Sequence, residues 1–206
     1  MATKVIDLHA HINIGAAKKR MEAGSDPAKP AAAGSGGLSD KSKAPILSQI
    51  DARLASMDQM GVDVAVLTPS PPRGFYKADE ETSAAVARLT NDEVAKIAGD
   101  HKDRICGSGN VALQHVEASV PELERCLSLC LKGERIGTNI ARLELADRRF
   151  DPFWKRAEEL GALVFLHPQG FTEPKRLEEY FLENAFGQPL ETALALIKMK
   201  IGRAHV

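Results

Sequence analysis

His9-Ala10-His11 follows the apolar run Val5-Ile6-Asp7-Leu8. In an extended strand residues i and i+2 point to one face, so the two imidazoles stand side by side and can share one metal ion. Ile12-Asn13-Ile14-Gly15 comes next, which places the pair at the carboxyl end of a first strand. A third imidazole, His167, ends a second apolar run, Ala162-Leu163-Val164-Phe165-Leu166, and precedes Pro168, which cannot continue a central strand. Three imidazoles from two strand ends make an open metal site that a carboxylate or water must complete, whereas a closed structural site more often uses cysteines. The cysteines do not offer that: Cys126 and Cys130 fall four apart in a helical pattern and Cys106 stands alone in a strand-like stretch. All three are expected as small apolar packing residues.

The elements that must carry these histidines alternate. After the first strand, a segment over 16–44 rich in Ala, Gly, Ser, Pro and Lys reads as a flexible loop, placed to lie over the site or simply to occupy the surface. A helix from Ser48 to Met60 stops at Gly61, and Val62 to Thr68 forms a second strand ended by Pro69. A helix over Glu80 to Ala98 leads to a third strand over Ile105 to Val111. Ser119-Val120-Pro121-Glu122 then offers a cap, an early proline and a glutamate three on, opening a helix that Gly133 ends. Ile136 to Ile140 is a short fourth strand, and Asp151-Pro152-Phe153-Trp154 opens a helix that Gly161 closes before the fifth. Five strand–helix units imply an α/β fold with a parallel sheet, either doubly wound or closed as a barrel. Histidines on strands one and five favour the barrel, whose strand ends converge on one centre.

Composition narrows the function. With 44% hydrophobic and 27% charged residues in 206, the chain can bury a core and reads as one globular domain. Its 27 basic against 28 acidic residues leave no basic footprint for nucleic acid or an acidic membrane surface, so a small-molecule substrate is expected. No apolar stretch approaches the roughly 20 residues of a bilayer span, and no charged-then-apolar leader opens the chain. Three cysteines without an evident pairing fit a reducing compartment, the cytoplasm.

Ile6-Asp7-Leu8-His9-Ala10-His11, the run Arg53-Leu54-Ala55-Ser56-Met57-Asp58-Gln59-Met60-Gly61-Val62-Asp63, Phe165-Leu166-His167-Pro168 and Gly187-Gln188-Pro189-Leu190-Glu191-Thr192 together resemble the amidohydrolase superfamily. The similarity runs from residue 4 to about residue 199, and is to the branch of 2-amino-3-carboxymuconate 6-semialdehyde decarboxylase and related aromatic-acid decarboxylases. It implies a (β/α)8 TIM barrel of the metal-dependent hydrolase type, with His9, His11 and His167 ligating a divalent metal, usually zinc, and Met57-Asp58 as a structural signature. It also implies a small unsaturated or aromatic carboxylic acid as substrate, decarboxylated with the metal as Lewis acid, or alternatively hydrolysis of a lactone or amide. Gln169 and Asn139 are the expected substrate contacts. Where the family's decarboxylases carry Trp after this His-Pro, the chain has Gln169, so its acid is expected to differ. A homodimer is expected from the resemblance alone. The phosphoesterases of the polymerase-and-histidinol-phosphatase group share an H-x-H in a short barrel, but have no reason to carry the Gly187 to Thr192 element.

Five of the barrel's eight strands are used up by His167, leaving 39 residues for three more units. The family's acid/base histidine on strand six and metal-ligating aspartate on strand eight have no counterpart, and His205 lacks their flanking pattern. Ile201 to Val206 also matches one reading frame of a common short-read sequencing adapter. Residues 1–199 are therefore expected to be the amino-terminal part of one barrel domain, 200–206 a non-native tail, and the chain alone an inactive fragment.

Overall fold

The computed structural model describes residues 3–24, 48–72 and 74–204. Among these residues, eight short strands and six α-helices follow the expected alternation. Strand β1 (Ile6–Ile12) leads to helix α1 (Gly15–Gly24); α2 (Ile50–Met60) precedes β2 (Val64–Pro69), and α3 (Glu80–Asp100) precedes β3 (Ile105–Gly107) and β4 (Gly109–Asn110). Then come α4 (Val116–Ser128), β5 (Gly133–Ile136), β6 (Asn139–Ile140), β7 (Leu143–Glu144), α5 (Asp151–Leu160), β8 (Leu163–Leu166) and α6 (Gln188–Ala204).

The pairings give the order of the strands. β1, β2 and β3 form one parallel ladder and β4, β5 and β8 another. Ser108 joins them: its amide donates to Leu67 O (2.9 Å) of β2, while Gly107 O accepts from Lys132 N (2.9 Å) just before β5. The result is one parallel wall in sequential strand order. A doubly wound sheet would reverse order at a switch point, and this wall does not. Helices pack on the wall and bury its central apolar residues. Ala65, Leu67, Ile105, Val111, Leu113 and Ile136 are almost fully buried.

Two of the three glycine stops fall where they were expected. Gly61 (φ 68°) caps α2 and Gly161 (φ 61°) caps α5, both in the left-handed conformation that L-residues avoid. Asp79 caps α3 by accepting the Thr82 amide at 2.8 Å.

Several expectations are corrected. Residues 16–24 of the expected loop are helical: Ala16-Ala17-Lys18-Lys19-Arg20-Met21-Glu22-Ala23 is a run of good helix formers, and Ala17 and Met21, four apart, are buried in the cluster that holds Phe75 and Tyr76. The rest of that loop, 25–44, lies outside the described residues, as does His205. Helix α4 begins at Val116, one turn before Ser119. Ser119 Oγ donates back to His115 O (3.0 Å) and Glu122 is buried, so the two do not form a capping box. The fourth parallel strand is Gly133–Ile136, and Asn139–Ile140 instead pairs antiparallel with Leu143–Glu144. Gly133, read as a helix stop, is a strand residue because a Cβ there would lie 1.8 Å from Leu163 O on the neighbouring strand. Of the cysteines, Cys126 is core, Cys106 is half-buried, and Cys130 is exposed at φ 65°, beyond the helix where packing would have held it.

Candidate metal centre

β1 carries His9 and His11 two residues apart, beyond an irregularity in its pairing with β2 that begins after Asp7, and the loop leaving β8 puts His167 opposite them. His9 Nε2 lies 3.0 Å from His11 Nε2, and His167 Nε2 lies 3.2 Å from the same atom. The three donor atoms all fall within 4.8 Å of one another. Metal–nitrogen bonds of about 2.1 Å at tetrahedral angles separate donor nitrogens by about 3.4 Å, so a single ion fits with small shifts.

Neighbouring groups orient the donors. The only proton that can bind the Pro168 carbonyl belongs to His167 Nδ1, which donates to it at 2.7 Å and leaves Nε2 a bare lone pair. His11 Nδ1 shares a 2.9 Å hydrogen bond with Ser70 Oγ, just past the end of β2. Arg53 of α2, itself buried, donates through Nη2 to the His11 carbonyl, fixing the strand at that residue. The Phe165 ring stands 5.1 Å from the His9 ring, walling one side with carbon.

All three imidazoles are held neutral. Burial, and then the Arg135 guanidinium, lowers the pKa of His9 against a smaller opposing effect of Asp7. Burial is also the main reason His11 falls to about 4, followed by His9 and Arg135, and His167 falls to about 3 through burial and then Arg135. Neutral imidazoles with converging lone pairs repel one another unless a cation lies between them, which is the chemistry of a metal site. His9 is exposed while His11 and His167 are half-buried, so one side is open to an exchangeable ligand.

Asn139 is committed elsewhere: its Nδ2 donates to Glu191 Oε1 (3.0 Å) and its Oδ1 accepts from Arg142 N (3.1 Å). The other Glu191 oxygen accepts from Thr172 N (3.1 Å) and Oγ1 (3.0 Å), so the Gly187 to Thr192 motif pins the loop that follows His167. Gln169 is exposed on that loop. Asp58 lies far from the centre, ion-paired with Arg104 (2.7 Å). It lines a 390 Å³ cavity, with Lys4, Val62 and Asp103, at the amino ends of the strands. Sequence reasoning passed over Ser70, Arg53 and Arg135. A polar residue directly after a strand's terminal proline, and an arginine inside a strand, were the signals for the first and last.

The parallel wall thus gathers three histidines, from β1 and from the loop after β8, at the carboxyl ends of its strands, where they could hold one metal ion. The chain belongs to the amidohydrolase family, whose model matches residues 6–196. It is 34% identical over 153 residues to the 2-amino-3-carboxymuconate-6-semialdehyde decarboxylase of Dictyostelium discoideum, covering 74% of this chain and 43% of that protein. It is 28% identical over 142 residues to the gamma-resorcylate decarboxylase of Rhodococcus jostii, covering 63% and 43%. The chain spans about half the length of the curated relatives it matches. Among solved structures, the 5-carboxyvanillate decarboxylase of Novosphingobium aromaticivorans, with bound manganese, superposes with a TM-score of 0.81 at 23% identity, covering 96% of this chain and 61% of that one. The 2,6-dihydroxybenzoate decarboxylase from Rhizobium superposes with a TM-score of 0.78 at 22% identity, covering 98% and 62%. No described helix is long and apolar enough to cross a membrane.

Proposed function

We propose that this wall belongs to a (β/α)8 barrel enzyme that decarboxylates a small aromatic or unsaturated carboxylic acid with a divalent metal held by His9, His11 and His167. The observation that carries the reading is the convergence of three neutral Nε2 atoms within 4.8 Å, on a chain whose curated relatives are decarboxylases. When bound, the ion would supply Lewis acidity toward a substrate oxygen. The chain's own residues do the rest of the positioning. His167 is locked in one tautomer by the Pro168 carbonyl, His11 is steadied by Ser70 and Arg53, and the Phe165 ring packs edge-on against His9.

Gln169, exposed two residues after His167, contacts the substrate at the mouth. Asn139 contributes from behind it: through Glu191 and Thr172 it sets the course of the loop that carries Gln169. A polar amide at that place selects an acid bearing hydrogen-bonding substituents.

The test is metal analysis by plasma mass spectrometry on the purified chain, which separates zinc from manganese, together with carbon dioxide release from 2,6-dihydroxybenzoate by the complete protein. Stoichiometric metal and carbon dioxide release are expected. Metal-dependent hydrolysis of a lactone or amide without carbon dioxide would overturn the assignment in favour of a hydrolase.

A further inference from the structure

One buried cation of the wall lacks part of its hydrogen bonding among the described residues. Arg135 is 3% exposed, and neither its Nε nor its Nη1 has a hydrogen-bond acceptor. It pairs in register with Phe165, so both side chains leave the same face of the sheet. That is the face of the metal centre: the Phe165 ring lies 5.1 Å from His9 and 6.2 Å from His167. The adjacent carboxylate, Glu134, is on the opposite face by the alternation of the strand and lies against Cys126 of α4. Tyr76, the other polar group beside Arg135, already accepts the Gly137 amide at 3.0 Å.

A buried guanidinium without a counterion is strongly disfavoured, and a divalent cation between the three neutral imidazoles would add to the same positive field. Only an anion relieves both. The geometry points to Arg135 as the residue that holds an anionic oxygen of the substrate other than the carboxylate at the metal, so that the preferred substrate is an acid with two anionic groups. This rests on the decarboxylase reading above. It also suits that chemistry. When carbon dioxide leaves, the electron pair of the breaking C–C bond stays on carbon and takes up a proton from solvent. An arginine gripping the scissile carboxylate would stabilise only the ground state, whereas one gripping the retained anion keeps its partner throughout. Arginine suits the task because its planar fork binds a carboxylate through two parallel hydrogen bonds.

The experiment is calorimetric titration of the full chain, with and without manganese, using benzoate (one anionic group) and isophthalate (two). Wild type is expected to prefer isophthalate by about ten- to a hundredfold, the worth of a charge-assisted hydrogen bond. Arg135→Met is expected to reduce the preference to near one while leaving manganese stoichiometry unchanged, and Arg135→Lys to keep a smaller preference. If Arg135→Met fails to fold by circular dichroism, the lysine variant carries the test, and an unchanged preference in it overturns the inference. So does a preference that survives Arg135→Met, or none in wild type. A preference that depends on Arg135 but not on manganese upholds the inference and removes the metal-bound carboxylate. Manganese-dependent benzoate binding without a preference does the reverse.

Discussion

Glu134→Val should stabilise the protein, and by an amount that depends on pH. Glu134 is fully buried between β5 and α4, over Gly109, whose missing Cβ leaves room for the carboxylate. Neither of its oxygens accepts a hydrogen bond; the adjoining Cys126 thiol, a weak donor, makes its contact with Glu122 Oε1 at 3.9 Å. Burial pushes the Glu134 pKa from 4.5 up to about 8, with the nearby Glu122 adding to the rise. The folded protein therefore keeps this proton up to about pH 8, while the unfolded chain releases it near 4.5. Across that window the unfolded state binds fewer protons, so stability falls as pH rises, by about 1.4 kcal/mol per unit at the steepest, and levels off above pH 8. Valine removes the ionisable group and suits a buried strand. Replacing a poorly satisfied buried charge with an apolar side chain of similar size is worth about 1–4 kcal/mol. At roughly 2–4 °C per kcal/mol for a chain of this length, the midpoint should rise by about 2–16 °C at pH 8.5 and by clearly less at pH 5, where the buried carboxyl keeps its proton. Thermal melts followed by circular dichroism at low micromolar concentration measure this. A gain of equal size at both pH values, or a loss at pH 8.5, would refute the reasoning.

His9→Ala or His167→Ala should each lower bound metal from one equivalent to well below half, read by plasma mass spectrometry after dialysis, because the centre then has two imidazoles; unchanged stoichiometry would show the ligand misassigned. Glu191→Ala removes the acceptor of three hydrogen bonds and should cost about 2–3 kcal/mol, with faster proteolysis near Thr172, and equal melting and digestion would count against the loop's dependence on it. Gly133→Ala, whose Cβ would meet Leu163 O at 1.8 Å, should abolish soluble folded protein; a well-folded variant by heteronuclear NMR would contradict the strand geometry. Ile6, Leu8 and Leu163, on the outer strands of the wall, are 52%, 68% and 58% exposed, so the 206-residue chain should self-associate in sedimentation velocity, and a sharp monomer at tens of micromolar would overturn that expectation.

The parallel architecture was legible because apolar runs bounded by Gly and Pro repeat along the chain, and the histidine pair was legible because period two leaves no other face for His11. What escaped was set by contacts distant in sequence. Helix α1 hides in an Ala- and Lys-rich stretch that resembles linker, and becomes a helix because Ala17 and Met21 find a core next to Tyr76. The start of β5 was masked because Gly133 looks like a helix stop, and only the approach of Leu163 explains the glycine. Asn139 was expected to contact substrate, and its hydrogen bond to Glu191, 52 residues onward, was not legible. Arg135 was passed over because a charge in a strand is usually solvated.

Because each parallel strand pairs with the one that precedes it, the wall can grow from its first strand as the chain leaves the ribosome, without waiting for distant sequence. His9 and His11 are then in place early, and the contact that completes the triad spans 156 residues. On the reading proposed above, metal capture waits for β8 to dock. A colorimetric ion such as cobalt, added during refolding, would report that docking, acting as a clock for it rather than a nucleus for the first step.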